Sequence, residues 1–122
     1  MSFVETDIHG QIMIVKLNRP ERLNALSKVI REGMADAFNQ FKNDKDLEVA
    51  ILTGEGRGFC AGEDMKESLE IGELASAPGK GNDNADPFMN GELDKPVIGA
   101  INGYAMGGGF MLVEKTDLRV AV

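Results

Sequence analysis

The sequence has no tryptophan and only one tyrosine, one cysteine and one histidine. A lone cysteine, Cys60, cannot close an internal disulfide, which agrees with a reducing compartment. With His9 as the only histidine, a His/Cys metal site is close to excluded, and no metal is expected. Basic residues are outnumbered, 13 Lys and Arg against 20 Asp and Glu, which leaves a net charge of -7. This argues against a nucleic-acid partner, because phosphate backbones are bound mainly through clustered Lys and Arg. No apolar run approaches the ~18 residues of a membrane span. The opening "MSFVETDIHG" lacks the basic start and apolar stretch of a secretory signal. The expectation is a soluble, cytoplasmic protein with no membrane partner.

What is present fits one domain with a modest core: 122 residues, 43% of them hydrophobic. Residues 3 to 8 and 11 to 17 are predicted strands joined at "HG", the second of them interior because apolar residues lie on both its faces. "NRPERLNAL" is a connection in which Pro20 breaks any helical pattern. From Ser27 onward, Val29, Ile30, Gly33, Met34, Ala37, Phe38 and Phe41 mark an amphipathic helix. "LEVAILTG" has the length and apolar continuity of a strand covered on both faces.

The next segment, "GEGRGFCAGEDMKES", is a glycine-punctuated loop running into a shorter helix. Residues 75 to 91, rich in Gly, Pro, Asn and Asp, are expected to be a long mobile loop or lid. "KPVIGAING" is a buried strand, the triple glycine opens a helix, and "DLRVAV" is a last strand. Alternating strands and helices predict an α/β architecture. An apolar strand at the end of the chain calls for something to cover it, so a fragment of a longer protein is expected.

Glycine-rich loops that enter helices often cradle phosphate, but two such patterns fail here. In "GEGRGF" the dinucleotide pattern needs glycine at position 59, which is Phe59. Gly103 and Gly108 have P-loop spacing, yet Gly109 and Phe110 stand where Lys and Ser or Thr are required. Two readings remain open. The loops are tight turns that allow close packing, or they aim backbone NH groups at charge that develops during a reaction.

Three stretches resemble the enoyl-CoA hydratase/isomerase, or crotonase, superfamily. They are "LNRPERLNAL" at 17 to 26, "ILTGEGRGFCAGEDMKE" at 51 to 67, and "KPVIGAINGYAMGGGFML" at 95 to 112, followed by "DLRVAV". The resemblance covers nearly all of the chain but about the first half of a typical member, and the C-terminal half would be absent. It implies a crotonase/ClpP-like spiral of ββα units binding acyl-CoA as substrate. No separate cofactor is implied, since CoA belongs to the substrate, and the full-length protein would be a homo-oligomer, a trimer or dimer of trimers.

By motif position, the resemblance makes the backbone NH groups of Glu63 and Gly108 an oxyanion hole for a thioester enolate. It lays CoA along Arg22, Leu23 and Ala25, and along Ala61, Asp64, Met65 and Lys66. Arg22 and Lys66 would either offset phosphate charge or be solvated cations. Met111 stands where the family's hydratases carry a glutamate, and methionine cannot carry a proton. This favours isomerase-like chemistry over two-glutamate hydration, with the acid-base residue beyond Val122 and the 122 residues alone inactive. A non-catalytic acyl-CoA binder and other family reactions, hydrolysis or decarboxylation, are the alternatives.

Other groups have plainer expectations. Asp64 and Glu67 form a D-x-x-E helix cap, and the Glu63 carboxylate is incidental unless it faces the enolate. Cys60 is expected to be buried and His9 exposed. Ser27 and Ser68 lack His/Asp partners, which sets aside a serine hydrolase and a ClpP-type protease.

Overall fold

A computed structural model describes residues 3–64, 69 and 86–122. Among them a five-stranded sheet has the order β1-β2-β3-β5-β7. Its members are β1 (Val4–His9), β2 (Ile12–Leu17), β3 (Val49–Gly54), β5 (Val97–Ile101) and β7 (Leu118–Ala121). β1 and β2 form an antiparallel hairpin turning at Gly10 (φ +61), and the remaining neighbours are parallel. Two short strands, β4 (Gly58–Cys60) and β6 (Tyr104–Ala105), pair in a separate parallel ribbon. The chain thus runs twice from the large sheet to the ribbon, β3 to β4 and β5 to β6. The α/β expectation is met, with β2 and β5 interior to the sheet.

Period-two alternation decides which face of the sheet is dry. Met13, Val15 and Leu17 alternate with more accessible neighbours, and register aligns Met13 with Ala50 and Ala50 with Val97. Val15 aligns with Leu52 in the same way. All of these side chains are buried. On the opposite face Ile14, Ile51 and Ile98 are only half-buried. The expectation that "LEVAILTG" is covered on both faces therefore holds for one face fully and the other in part.

Helix α1 (Lys28–Asn43) covers the dry face. It begins at Ser27, whose Oγ accepts a hydrogen bond from the Ile30 NH at 3.2 Å, satisfying one of the donors a helix start leaves open. Ile30, Met34, Ala37, Phe38 and Phe41 form its buried stripe. Val29 was expected in that stripe but is 50% exposed, while Arg31 and Ala35 on the other flank are buried. The stripe is displaced because that flank meets the segment carrying Glu63, described below. At the far end, Lys95 Nζ donates to the carbonyls of Phe41 and Asp44, both at 2.7 Å, satisfying acceptors at the helix terminus.

Two features depart from the expected outline. β4 and β6 lie where a loop and a strand-to-helix connection were expected; at three and two residues they are too short to show a hydrophobic period. Residues 86–91, within the stretch expected to be a loop, form turns in which Asp86 Oδ1 accepts from the Phe88 NH at 2.9 Å. Phe88 is buried and stacks on Phe38 with ring centroids 4.6 Å apart. The helix expected after "AGED" and the rest of that loop lie outside the described residues. The final strand, β7, is an exposed edge, with Leu118 and Val120 both open.

Candidate active site

The site lies where β4, the Leu23–Leu26 connection and helix α2 (Gly108–Lys115) converge. After the short 3-10 turn Pro20–Arg22, Leu23 and Asn24 both take left-handed conformations, φ +51 and +56. Asparagine tolerates that region better than most residues. The bend sends the Asn24 side chain fully inside. Its Nδ2 lies within donating distance of the carbonyls of Glu55, Gly58 and Phe59 at 3.0 to 3.2 Å, and its Oδ1 accepts from the Arg19 NH at 2.7 Å.

Asn102 holds the same 54 to 58 loop from the other side. Its Oδ1 accepts from the Gly54 NH at 3.0 Å, and its Nδ2 donates to Gly56 and Gly58 carbonyls. Two carboxamides therefore do for this irregular loop what a sheet ladder does for a strand. The loop leads directly into β4 and the residues that follow it.

Beyond β4 the chain runs alongside residues 23 to 26. Ala61 NH donates to Leu23 O, Leu26 NH to Gly62 O, and Asp64 NH to Leu26 O. This brackets Glu63 in a parallel bridge with Leu26. In such a bridge the flanking peptides bond to the partner, so the NH of Glu63 itself points away from Leu26. What lies near it is the start of α2.

The triple glycine makes that approach possible. Gly107 has φ +53 and turns the chain into the helix, and its carbonyl accepts from the Met111 NH. Gly109 lies so close to the carbonyl of Cys60 that a Cβ would overlap it. A Cβ on Gly108 would lie 3.7 Å from the Gly62 Cα and 3.9 Å from the Glu63 nitrogen. As the first helical residue, Gly108 has an NH that no carbonyl of its own helix can reach. The Glu63 nitrogen thus lies close to the first residue of α2, at the positive end of that helix.

Of the residues expected to line CoA, the structure brings Arg22, Leu23, Ala25, Ala61 and Asp64 into one patch. Ala25 NH bonds Arg22 O, Ala61 bonds Leu23, and Arg22 pairs with Asp64 at 3.6 Å. Arg19 reaches the other Asp64 oxygen, also at 3.6 Å, so this buried carboxylate sits between two guanidinium groups. Met65, Lys66 and the capping partner Glu67 lie outside the described residues. Met111, in the first turn of α2, is 50% exposed, and Glu114 is exposed.

Glu63 and Arg31 acquire a place that the sequence alone did not give them. The Glu63 carboxylate turns to Arg31 of α1, with Oε1 3.8 Å from Nη2. Cys60 is buried, and its Sγ lies 3.2 Å from the Asn24 carbonyl. Burial pushes its thiol up to about 11 from an ordinary 9.0, only partly opposed by a Gly62 backbone contact and the charge of Arg31. It is therefore a packed neutral group, as expected, and not a nucleophile. His9 is exposed and pairs with Asp7 at 2.8 Å. Among the described residues no group of three or more His, Cys, Asp or Glu could hold a metal, and no helix is long and apolar enough to cross a membrane.

Residues 7–122 match the family model described as enoyl-CoA hydratase/isomerase. The chain is 38% identical over 115 residues to a probable peroxisomal enoyl-CoA hydratase of Arabidopsis thaliana, covering 92% of this chain and 41% of the relative. It is 35% identical over 127 residues to the 1,2-epoxyphenylacetyl-CoA isomerase of Escherichia coli, covering 99% and 48%. The crystal structure of an enoyl-CoA hydratase from Mycobacterium tuberculosis superposes with a TM-score of 0.82 at 38% identity, covering 99% of this chain and 46% of that one. The fold is therefore the α/β fold of the crotonases, and the chain belongs to the enoyl-CoA hydratase/isomerase family. It spans about half the length of these relatives.

Two outcomes follow for the site. Asn24→Ala removes the donor shared by three carbonyls and puts a Cβ residue with no local hydrogen bond at positive φ, so stability should fall by about 3 kcal/mol in urea titrations. A loss within experimental error would contradict the clamp. For Cys60 the folded thiol is held neutral, so stability is full below pH 9 and declines as pH rises toward about 11, where the folded group also ionises. Denaturation across that range, compared with Cys60→Ser, checks the sign.

Proposed function

We propose that the complete protein acts on an acyl-CoA thioester through an enolate, with the NH groups of Glu63 and Gly108 as the oxyanion hole. The observation that carries this reading is the proximity of the Gly108 position to the Glu63 nitrogen at a helix start. Removing a proton beside a thioester moves negative charge onto the carbonyl oxygen. Fixed NH dipoles stabilise that charge without reorganising, each typically contributing ~3 kcal/mol. The dipole of α2 acts in the same direction.

CoA would run along the patch of Arg22, Leu23, Ala25, Ala61 and Asp64, extended by Met65 and Lys66. Because Arg22 already faces Asp64, its charge is only partly available to phosphates. CoA is part of the substrate in this reading, and no separate cofactor is invoked. A cytoplasmic homo-oligomer, trimer or dimer of trimers, is the proposed working form.

The proposed reaction is isomerisation in preference to hydration. Two-carboxylate hydration needs proton carriers on the water, and Met111 offers none. Glu63 and Asp64, the carboxylates on and next to the residue that supplies the first of the two proposed NH groups, are each directed to arginine. The proton carrier is therefore sought outside the described residues, and the 122 residues alone are expected to be inactive. That same engagement of both acids favours one second reading, a homologue that binds acyl-CoA without turnover.

Assaying the complete protein on short and medium enoyl-CoAs separates these readings. Double-bond migration faster than water addition is expected; faster hydration would overturn the preference, and binding without either reaction would favour the second reading. In the same assay Gly108→Ala keeps the NH but puts a methyl 3.9 Å from the Glu63 nitrogen, where it would crowd the thioester oxygen out of place, and should lower kcat by roughly 100-fold. Its thermal stability should change little, because Gly108 is helical and the nearest contact of the new methyl is the flexible end of Leu26 at 3.1 Å.

A further inference from the structure

Glu63 presents a physical conflict. Its NH is one of the two donors proposed for a developing oxyanion, yet its own carboxylate is only four bonds away. An ionised carboxylate that near a forming negative oxygen would repel it, most strongly in a site closed to water. A residue that supplies only its NH has no need of that charge.

The structure gives the carboxylate a destination. Glu63 Oε1 lies 3.8 Å from Nη2 of Arg31, and the two side chains are only 15% and 6% exposed. Arg31 stands on α1 beside Ile30, on the buried flank that displaced the apolar stripe. Burying a guanidinium is costly unless another charge accompanies it. Arg19 and Arg22 are directed instead to the neighbouring Asp64.

We propose that Arg31 is a positioning residue for the enolate, drawing the Glu63 carboxylate toward α1 and offsetting its charge while the Glu63 NH serves the oxyanion. This rests on the oxyanion-hole reading above. Arg31 touches no reacting atom and acts only through Glu63. Its removal therefore matters when Glu63 is charged and loses its effect when that charge is gone.

A double-mutant cycle on the complete protein tests this. With Glu63 present, Arg31→Met should lower kcat roughly tenfold to hundredfold with KM little changed, because the repulsion appears only as charge develops. In the Glu63→Gln background the same substitution should cost less than about threefold, a difference near the noise of such cycles. A loss of equal size in both backgrounds overturns the proposal, as does no loss in either. If Arg31→Met alone does not fold, the comparison of Glu63→Gln with the double variant carries the test. There a loss of tenfold or more means that Arg31 acts otherwise than through Glu63.

The infrared carbonyl stretch of a bound, non-reacting acyl-CoA distinguishes the two layers. A lowered frequency in the wild type that weakens in Arg31→Met is expected. No shift in the wild type removes the oxyanion reading itself, whereas a shift identical in both, with kcat unchanged, removes only the role of Arg31.

Discussion

Backbone meets backbone where Gly109 packs on the carbonyl of Cys60, and the rest of the site depends on that contact. A side chain there would push α2 off the end of β4. The separation of the Gly62–Glu63 peptide from Gly108 would then be lost, together with the pairing of β4 and β6 and the Met106 NH bond to the Cys60 carbonyl. Close approach leaves irregular chain at the junction, with peptide groups that no sheet ladder satisfies. Asn24 and Asn102 take up those groups, and Leu26 and Leu23 bond the outgoing strand. The site is thus a packing constraint first, with its hydrogen bonding arranged around it.

Electrostatics follow from the same constraint. A junction rich in NH groups at a helix start has positive potential, and the adjacent acids, Glu63 and Asp64, would cancel it. Each is turned toward arginine, Arg31 in one case and Arg19 with Arg22 in the other. In the proposed reading this leaves the dipoles of the Glu63 and Gly108 peptides and of α2 to favour charge forming on an oxygen. Met111 adds no charge of its own, so proton movement in the proposed reaction has to be supplied from elsewhere in the complete protein.

The fold was largely legible because period and punctuation agreed. The apolar run in "QIMIVKL", the apolar spacing after Ser27 and the glycine end of "LEVAILTG" each marked an element that formed there. β4 and β6 were not legible, since strands of three and two residues carry no period. For the site, the resemblance of three motifs to the family is what pointed to Glu63 and Gly108, while the glycines by themselves left two readings open. Arg31 was hidden for a physical reason: a charged residue on a helix reads as solvent-facing, and only the tertiary arrangement discloses a buried partner. Asn24 offered a faint signal in its position within a Pro-bounded connection, but its contacts with Glu55, Gly58 and Phe59 span more than 30 residues.

The central claim is that two peptide NH groups, brought together by glycine, receive a thioester oxygen. The most direct measurement is a crystal structure of the complete protein with a bound, unreactive acyl-CoA. The account predicts the thioester oxygen within ~3 Å of both the Glu63 and Gly108 nitrogens. A thioester oxygen bound away from that pair, or hydrogen-bonded to side chains instead, would contradict it.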